Sequence, residues 1–204
     1  MSVLFVTGTG TEVGKTWFAS RLIAALRAGG VAVAARKPAQ SFEPGTGPTD
    51  ADLLGAASGE DPTVVCPAHR WYEVAMAPPM AADVLGRPEI TIADLARECA
   101  PGPDGSITIV EGAGGPRSPI AVDGDSIDLA RALGAERVLL VADAGLGTIN
   151  AVRLCLEALR GFPVLVALNR FDPADDLHRR NRAWLEDHGI AATTDPGEAA
   201  DLLR

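Results

Sequence analysis

The sequence predicts an α/β protein: a doubly wound, mostly parallel sheet with helices on both faces. Three observations predict it. The runs "SVLFVT", "SITIV", "RVLLVA" and "PVLVAL" are short and almost continuously apolar, as strands buried on both faces are. Stretches of helical periodicity separate these runs. Four polar clusters, Gly8–Thr16, Arg36–Ser41, Glu111–Gly115 and Asn169–Asp172, fall at the strand ends, where sheets of this kind bind ligands.

The elements follow in order. Ser2–Thr7 reads as a buried strand, and Gly8–Gly14 as the loop after it. Thr16–Ala28 carries an apolar stripe at Phe18, Leu22, Ile23 and Leu26, so it reads as a helix, ended by Gly29 and Gly30. Val31–Arg36 is a second strand. Gln40–Thr49 is rich in glycine and proline and reads as loop, followed by a short helix over Asp50–Ala57. Asp61–Pro79 holds four prolines and takes no assignment. Helices are expected over Ala81–Leu85 and Ile92–Ala100, then a strand over Ser106–Val110 ending at Glu111. Ser126–Leu133 reads as a helix with Ser126 as its N-cap. The strands Arg137–Ala142 and Pro163–Leu168 alternate with the helices Ile149–Leu159 and Leu177–Asp187. No repeat or linker divides the chain, so residues 1–204 are expected to form one domain.

Composition narrows the function. A net charge of −9 argues against a nucleic-acid surface, which needs a basic face. It does not argue against nucleotide binding, because a few amides and a lysine hold phosphate in an acidic protein. No apolar run reaches the roughly 18 residues that span a bilayer. No basic stretch precedes the apolar N-terminus, so no signal peptide is expected. Cys66, Cys99 and Cys155 have no metal spacing and read as reduced, buried thiols of a cytoplasmic protein. His69, His178 and His188 also lack metal spacing and are expected on the surface.

The chemistry is concentrated after the strands. "GTGTEVGKT", Gly8 to Thr16, departs from the usual phosphate-loop spacing G-x-x-x-x-G-K-[ST] by one extra residue, because the first glycine is Gly8 and position 9 is Thr9. It still follows a strand and opens a helix. Glycines let backbone amides turn toward phosphate, and the helix N-terminus adds positive charge. Lys15 then reaches the β- and γ-phosphates, and the Thr16 hydroxyl suits Mg²⁺. The alternative is a glycine-rich turn with a solvated lysine.

In "RKPAQS", Lys37 ends a strand and is expected to enter the same crevice, where it can neutralise a phosphoryl group or a carboxylated substrate. A surface lysine before a proline turn is the bland alternative. Glu111 in "VEGAGG" ends another strand and can bind Mg²⁺ or its water. Asp50 is either a second acidic ligand or an N-cap. "DAGLGTIN", Asp143 to Asn150, offers free amides for an anion, or is a plain turn with Thr148 as N-cap. "NRFD" places Asn169 and Arg170 at a strand end, where Asn169 can hold a nucleotide base. The segment Arg70–Asp83 fits either the wall of an apolar substrate site or ordinary core.

These pieces together resemble the dethiobiotin synthetases of the P-loop NTPase superfamily. "GTGTEVGKT", Lys37-Pro38 with Ser41, "TDAD" around Asp50, "VEGAGG" and "GLGTIN" occur in the family's order, over roughly the first 170 residues. The family's loop carries the same additional residue. The resemblance implies an ATP-dependent ligase that closes a ureido ring on 7,8-diaminononanoate with CO₂. A carbamate forms, attacks the γ-phosphate, and the second amine then displaces phosphate. It implies Lys15, Lys37 and Thr11 as catalytic. Nucleotide contacts are implied for Glu12, Val13, Gly14, Lys15, Thr16 and Trp17, for Glu111, Gly112, Ala113 and Gly114, and for Asp50, Asn169 and Arg170. It implies Thr16, Asp50 and Glu111 as Mg²⁺ ligands. Ser41, Gly147, Thr148 and Asn150 are implied for substrate, the last three from the partner subunit of a homodimer. The tail "HGIAATTDPGEAADLLR" departs from the family's G-x-I-P strand and loop, and Pro116 and Arg117 stand where the family is often apolar.

Two rivals have less support. Partitioning and metal-insertion ATPases carry an extra lysine early in the loop, and none lies between Gly8 and Gly14. A GTPase switch needs a D-x-x-G element, and Asp143 starts D-A-G-L instead. A related ligase acting on another acid stays open.

Overall fold

The computed structural model describes residues 2–103 and 105–203. The chain runs in order through β1 (Ser2–Gly8), α1 (Lys15–Ala28), β2 (Val33–Arg36), β3 (Gln40–Ser41), α2 (Asp50–Ser58), α3 (Pro62–Val65), β4 (Trp71–Tyr72), α4 (Pro78–Val84) and α5 (Ile92–Glu98). It continues through β5 (Ile107–Glu111), β6 (Pro119–Ala121), β7 (Gly124–Asp125), α6 (Ser126–Ala132), β8 (Arg137–Asp143), α7 (Thr148–Ala158), β9 (Val164–Asn169), α8 (Asp176–Asp187), β10 (Ala192–Thr193) and α9 (Pro196–Leu203).

Six strands form one parallel sheet in the order β10-β9-β8-β1-β5-β2. The chain builds β2 and β5 on one side of β1 and then crosses to the other for β8. Their C-terminal ends therefore meet around β1, at the reversal of strand order where such sheets bind ligands.

Alternation along each strand sorts side chains into two layers. Leu4 and Val6 join Ile109, Leu139, Val141 and Ala167 on the face covered by α1, α2 and α9. Phe5 joins Val110, Val138, Leu140, Val166 and Leu168 on the opposite face, against Leu95, Ile127, Val152 and Leu185 from α5 to α8. The apolar stripe of α1 is fully buried at Phe18, Leu22, Ile23 and Leu26. Both layers are apolar, which is why the strands carry no polar alternation.

Several expectations need correction. Ser126 is not an N-cap: Asp125 caps α6, its side chain accepting from the Ile127 and Asp128 amides. Asp50 does not cap α2 either, because Thr49 does so in a reciprocal pair with Asp52. Asp50 is left free to face the crevice. Gly147, not Thr148, is the N-cap of α7. The second strand begins at Val33 because the Val31 amide still bonds to Leu26 O, at the end of α1. Gln40–Ser41 was expected as loop but pairs in parallel with Trp71–Tyr72, a partner too distant in sequence to be read locally. α4 starts at Pro78, since prolines suit a first helical turn. The unassigned Asp61–Pro79 stretch holds α3, a 3₁₀ turn at Ala68–Arg70, and β4. The divergent tail supplies the sixth strand and α9, with Asp195 Oδ1 accepting from the Gly197 and Glu198 amides. His178 is partly buried, its Nδ1 accepting from the Asp172 amide. Cys66 and Cys99 are buried as expected, and burial pushes both thiols up to about 12, whereas Cys155 is only half-buried. Among the described residues no helix is long and apolar enough to cross a membrane.

Candidate active site

The phosphate loop leaves β1 at Gly8 and enters α1 at Gly14. Gly14 lies at φ 86, a left-handed backbone that favours glycine, and a Cβ there would displace the Asn169 amide that braces the loop. Glu12 also has a left-handed backbone, at φ 60. Two side chains from β9 and its end hold this shape: Asn169 Nδ2 donates to Val13 O at 3.0 Å, and Arg170 Nη2 donates to Glu12 O at 2.7 Å. Arg170 is itself at φ 57 and pairs with Asp143 at 3.0 Å. α2, α5, α6 and α8 are capped by Thr49, Thr91, Asp125 and Asp175, whereas α1 has a glycine N-cap with no side-chain bond and no acid in its first turn. Its first amides have no partner within the helix, and Gly14, Lys15 and Thr16 line the cavity, the arrangement that binds anions.

Lys37, Asp50, Glu111 and Thr16 meet beneath this loop. Lys37 Nζ lies 2.7 Å from Asp50 Oδ2 and 2.6 Å from Glu111 Oε1. It also donates to Gly112 O at 3.3 Å. Thr16 Oγ1 is 2.8 Å from Asp50 Oδ1 and 2.9 Å from Glu111 Oε1. Burial alone would weaken the Lys37 ammonium, but Asp50 and Glu111 more than reverse this and hold its pKa above the ordinary value. Lys37 in turn draws the Asp50 pKa down against the opposing effect of burial. Glu111 is raised, because complete burial outweighs the attraction of Lys37. Lys15 is lowered by burial and by the charge of Lys37, and its Nζ donates to Gly10 O at 3.2 Å. Two ammoniums thus balance two carboxylates.

A cavity of about 680 Å³ opens over this cluster. Thr11, Glu12, Gly14, Lys15 and Thr16 form one side of it. Lys37, Ser41 and Asp50 form a second, and Glu111, Ala113 and Gly114 a third. The Arg70–Asp83 stretch is divided: Tyr72, Ala81 and Ala82 are core, while Met76, Ala77 and Pro78 border the cavity. Gln40 lines the same cavity, and no expectation named it. Its signal was only its place one residue before Ser41, in a segment read as loop.

Other expected residues lie around the cavity rather than on its walls. Val13 and Gly112 contribute carbonyls to Asn169 and Lys37. Trp17 is half-exposed, with the Arg21 guanidinium 5.2 Å from its ring centre. Asn169 and Arg170 brace the loop from the side of β9. Gly147, Thr148 and Asn150 do not line the cavity. They sit at the open N-terminus of α7, beside Leu146, which is 91% exposed.

A divalent cation fits the donors present. Glu111 Oε2 is buried and finds no partner in the protein. With Asp50 and the Thr16 hydroxyl it makes a set of oxygen donors, the kind Mg²⁺ takes together with phosphate and water. No cluster of three or more His, Cys, Asp or Glu suited to a metal occurs among the described residues, so a cation here depends on donors beyond the carboxylates.

A family model described as an AAA domain matches residues 2–190. The ATP-dependent dethiobiotin synthetase BioD of Anaeromyxobacter dehalogenans (strain 2CP-C) is 44% identical over 184 residues, covering 86% of this chain and 80% of its own. The protein of the same name from Caulobacter vibrioides (strain NA1000 / CB15N) is 39% identical over 173 residues, covering 82% and 78%. Among solved structures, the signal recognition particle receptor FtsY from Elizabethkingia anophelis has a TM-score of 0.57 at 14% identity. That match covers 94% of this chain but only 57% of the receptor chain, and it speaks for the fold alone. With these relatives matched over most of both chains, the chain belongs to the ATP-dependent dethiobiotin synthetase family.

Proposed function

We infer that this ATP-dependent ligase of biotin biosynthesis joins CO₂ and both amines of 7,8-diaminononanoate into the ureido ring of dethiobiotin, using the cluster beneath the phosphate loop. One observation carries the assignment of roles: Lys37, buried and ion-paired to Asp50 and Glu111, stands in the same cavity as Lys15 and the open end of α1.

The chemistry needs positioning and countercharge rather than a protein nucleophile. An amine lone pair attacks CO₂; the C–N bond forms, a C=O electron pair moves to oxygen, and a proton leaves the nitrogen. The carbamate oxygen then attacks the γ-phosphorus, and the bond to the bridging oxygen breaks with its electron pair leaving on ADP. The second amine attacks the carbonyl carbon of the mixed anhydride, phosphate departs with the bonding pair, and loss of a proton completes the ring.

In this reading Lys15 and the α1 amides receive the triphosphate. Lys37 holds positive charge where the carbamate and γ-phosphate meet, and Thr11 lies beside the transferring group. Glu12, Val13, Gly14, Thr16 and Trp17 frame the phosphates through the loop and first helical turn, and Gly112, Ala113 and Gly114 border them. Ser41 holds the diamine or its carbamate, and the Met76–Pro78 wall suits its alkyl chain. Asn169 and Arg170 keep the loop in shape on the side where a base would lie.

Thr16, Asp50 and Glu111 would hold Mg²⁺, which when bound neutralises phosphate charge that a balanced cluster of lysines and carboxylates does not offset. We place the reaction in the cytoplasm, in one nucleotide-binding domain that works as a homodimer. The glycine-capped N-terminus of α7, with Gly147, Thr148 and Asn150, then receives the substrate carboxylate across the interface. The exposure of Leu146 and Leu154 on that surface supports this.

The test is an assay with diaminononanoate, bicarbonate, Mg²⁺ and each of four nucleoside triphosphates, measuring phosphate and dethiobiotin together. Phosphate release that ignores the diamine would point to a switch ATPase. Lys37→Ala is expected to lose turnover while nucleotide still binds. Sedimentation with and without substrate tests the dimer.

A further inference from the structure

We propose that Gln40 is a carbamate-reading residue: its side-chain amide donates a hydrogen bond to the carboxylated substrate and discriminates it from the free diamine. The proposal rests on the function inferred above and adds a residue to its site.

Gln40 is 3% exposed and lines the cavity beside Lys37 and Ser41. Its Oε1 accepts from the Ala51 amide at 2.9 Å, in the first turn of α2. That bond fixes which way the amide points. Turning it over would set the Nε2 donor against the Ala51 N–H donor and leave both unmet. Nε2 is therefore held on the other side, where it is buried and has no acceptor within the protein. A buried donor without a partner is costly, so it favours a ligand that brings an acceptor.

The chemistry of the ligands decides which one. Phosphate is served from the other side of the cavity, by Lys15 and the α1 amides. Gln40 belongs to the Lys37–Ser41 segment, and β3 packs against α4, whose start forms the apolar wall. A protonated diamine offers only donors to Nε2. A neutral amine offers one lone pair, which the attack on CO₂ consumes. The carbamate brings two oxygens sharing a negative charge, and a neutral amide donor satisfies one of them without adding charge to the balanced lysine–carboxylate cluster.

The experiment measures carbamate formation directly. Wild-type enzyme, Gln40→Met and Gln40→Glu are incubated with diaminononanoate and ¹³C-bicarbonate without a hydrolysable nucleotide, and the bound carbamate carbon is followed by NMR. Diamine affinity without CO₂ and nucleotide affinity are measured alongside by calorimetry. Gln40→Glu keeps an acceptor for the Ala51 amide but removes the donor, so it separates the bond to substrate from the support of α2. In both variants the carbamate population is expected to fall about tenfold or more, with diamine and nucleotide affinity changed less than about twofold. Gln40→Glu decides the matter if Gln40→Met does not fold. A carbamate signal equal to wild type, or a parallel loss of diamine affinity, overturns the role. Absence of carbamate in the wild-type enzyme would instead bring down the proposed reaction, and this role with it.

Discussion

Replacing Lys37 by methionine tests the electrostatic logic of the site most directly. The substitution keeps the side chain's length and removes its charge. Glu111 and Asp50 would both lose their countercharge, but not equally. The Glu111 side chain is 1% exposed, while that of Asp50 is 39% exposed and can hydrate. The loss therefore falls mainly on Glu111. Removing one partner of a buried pair typically destabilises by about 3–5 kcal/mol.

The effect should depend on pH, and its sign follows from Glu111. Burial already holds its folded pKa above the unfolded value, and loss of Lys37 raises it further. A raised carboxylate is harmless below its unfolded pKa of about 4.3, where it is protonated in both states. Its destabilisation grows as the pH rises and levels off above the folded pKa. At pH 5 the expected penalty from this group is about 1 kcal/mol, against about 3–5 kcal/mol at pH 8. For a chain of this size the latter lowers Tm by roughly 6–20 °C. Denaturant unfolding at the two pH values reads the difference, and adding Glu111→Gln to the variant should recover most of the loss at pH 8. Equal destabilisation at pH 5 and pH 8, with no recovery in the double variant, would refute the reasoning.

Three further outcomes are expected. Gly14→Ala should abolish detectable nucleotide binding in a calorimetric titration, because its Cβ runs into Asn169 Nδ2 and strains a left-handed backbone. Arg170→Ala should raise the KM for ATP several-fold and barely move Tm, since its exposed guanidinium ties Glu12 O to Asp143 rather than supporting the core; an unchanged KM would remove it from loop positioning. Burial opposes ionisation of Glu98, but its bidentate pair with Arg70 and its bond to His69 outweigh this and hold its pKa below the ordinary value. The stability advantage of wild type over Glu98→Gln should be present at pH 7 and vanish as the pH falls below about 4, which acid titration of unfolding checks.

The strand runs and the stripe of α1 were legible because they answer to local rules: burial on two faces removes alternation, and one buried face leaves a 3.6-residue period. The pairing of Gln40–Ser41 with Trp71–Tyr72 was not, because two residues carry no period and their partner lies far along the chain. The tail was equally opaque: Ala192–Thr193 becomes a strand because the exposed edge of β9 is available to it.

The sequence by itself determined the doubly wound sheet, the phosphate loop, and the candidacy of Lys37, Asp50 and Glu111, since each sits at the end of a strand or the start of a helix that its own neighbours specify. Only the tertiary structure decided how these groups share charge, that Thr49 rather than Asp50 caps α2, and that the Gln40 amide is held in one orientation with its donor buried and unpartnered. Charge pairing and amide orientation depend on distances of a few ångströms between segments remote in the chain, and spacing along the sequence does not encode them.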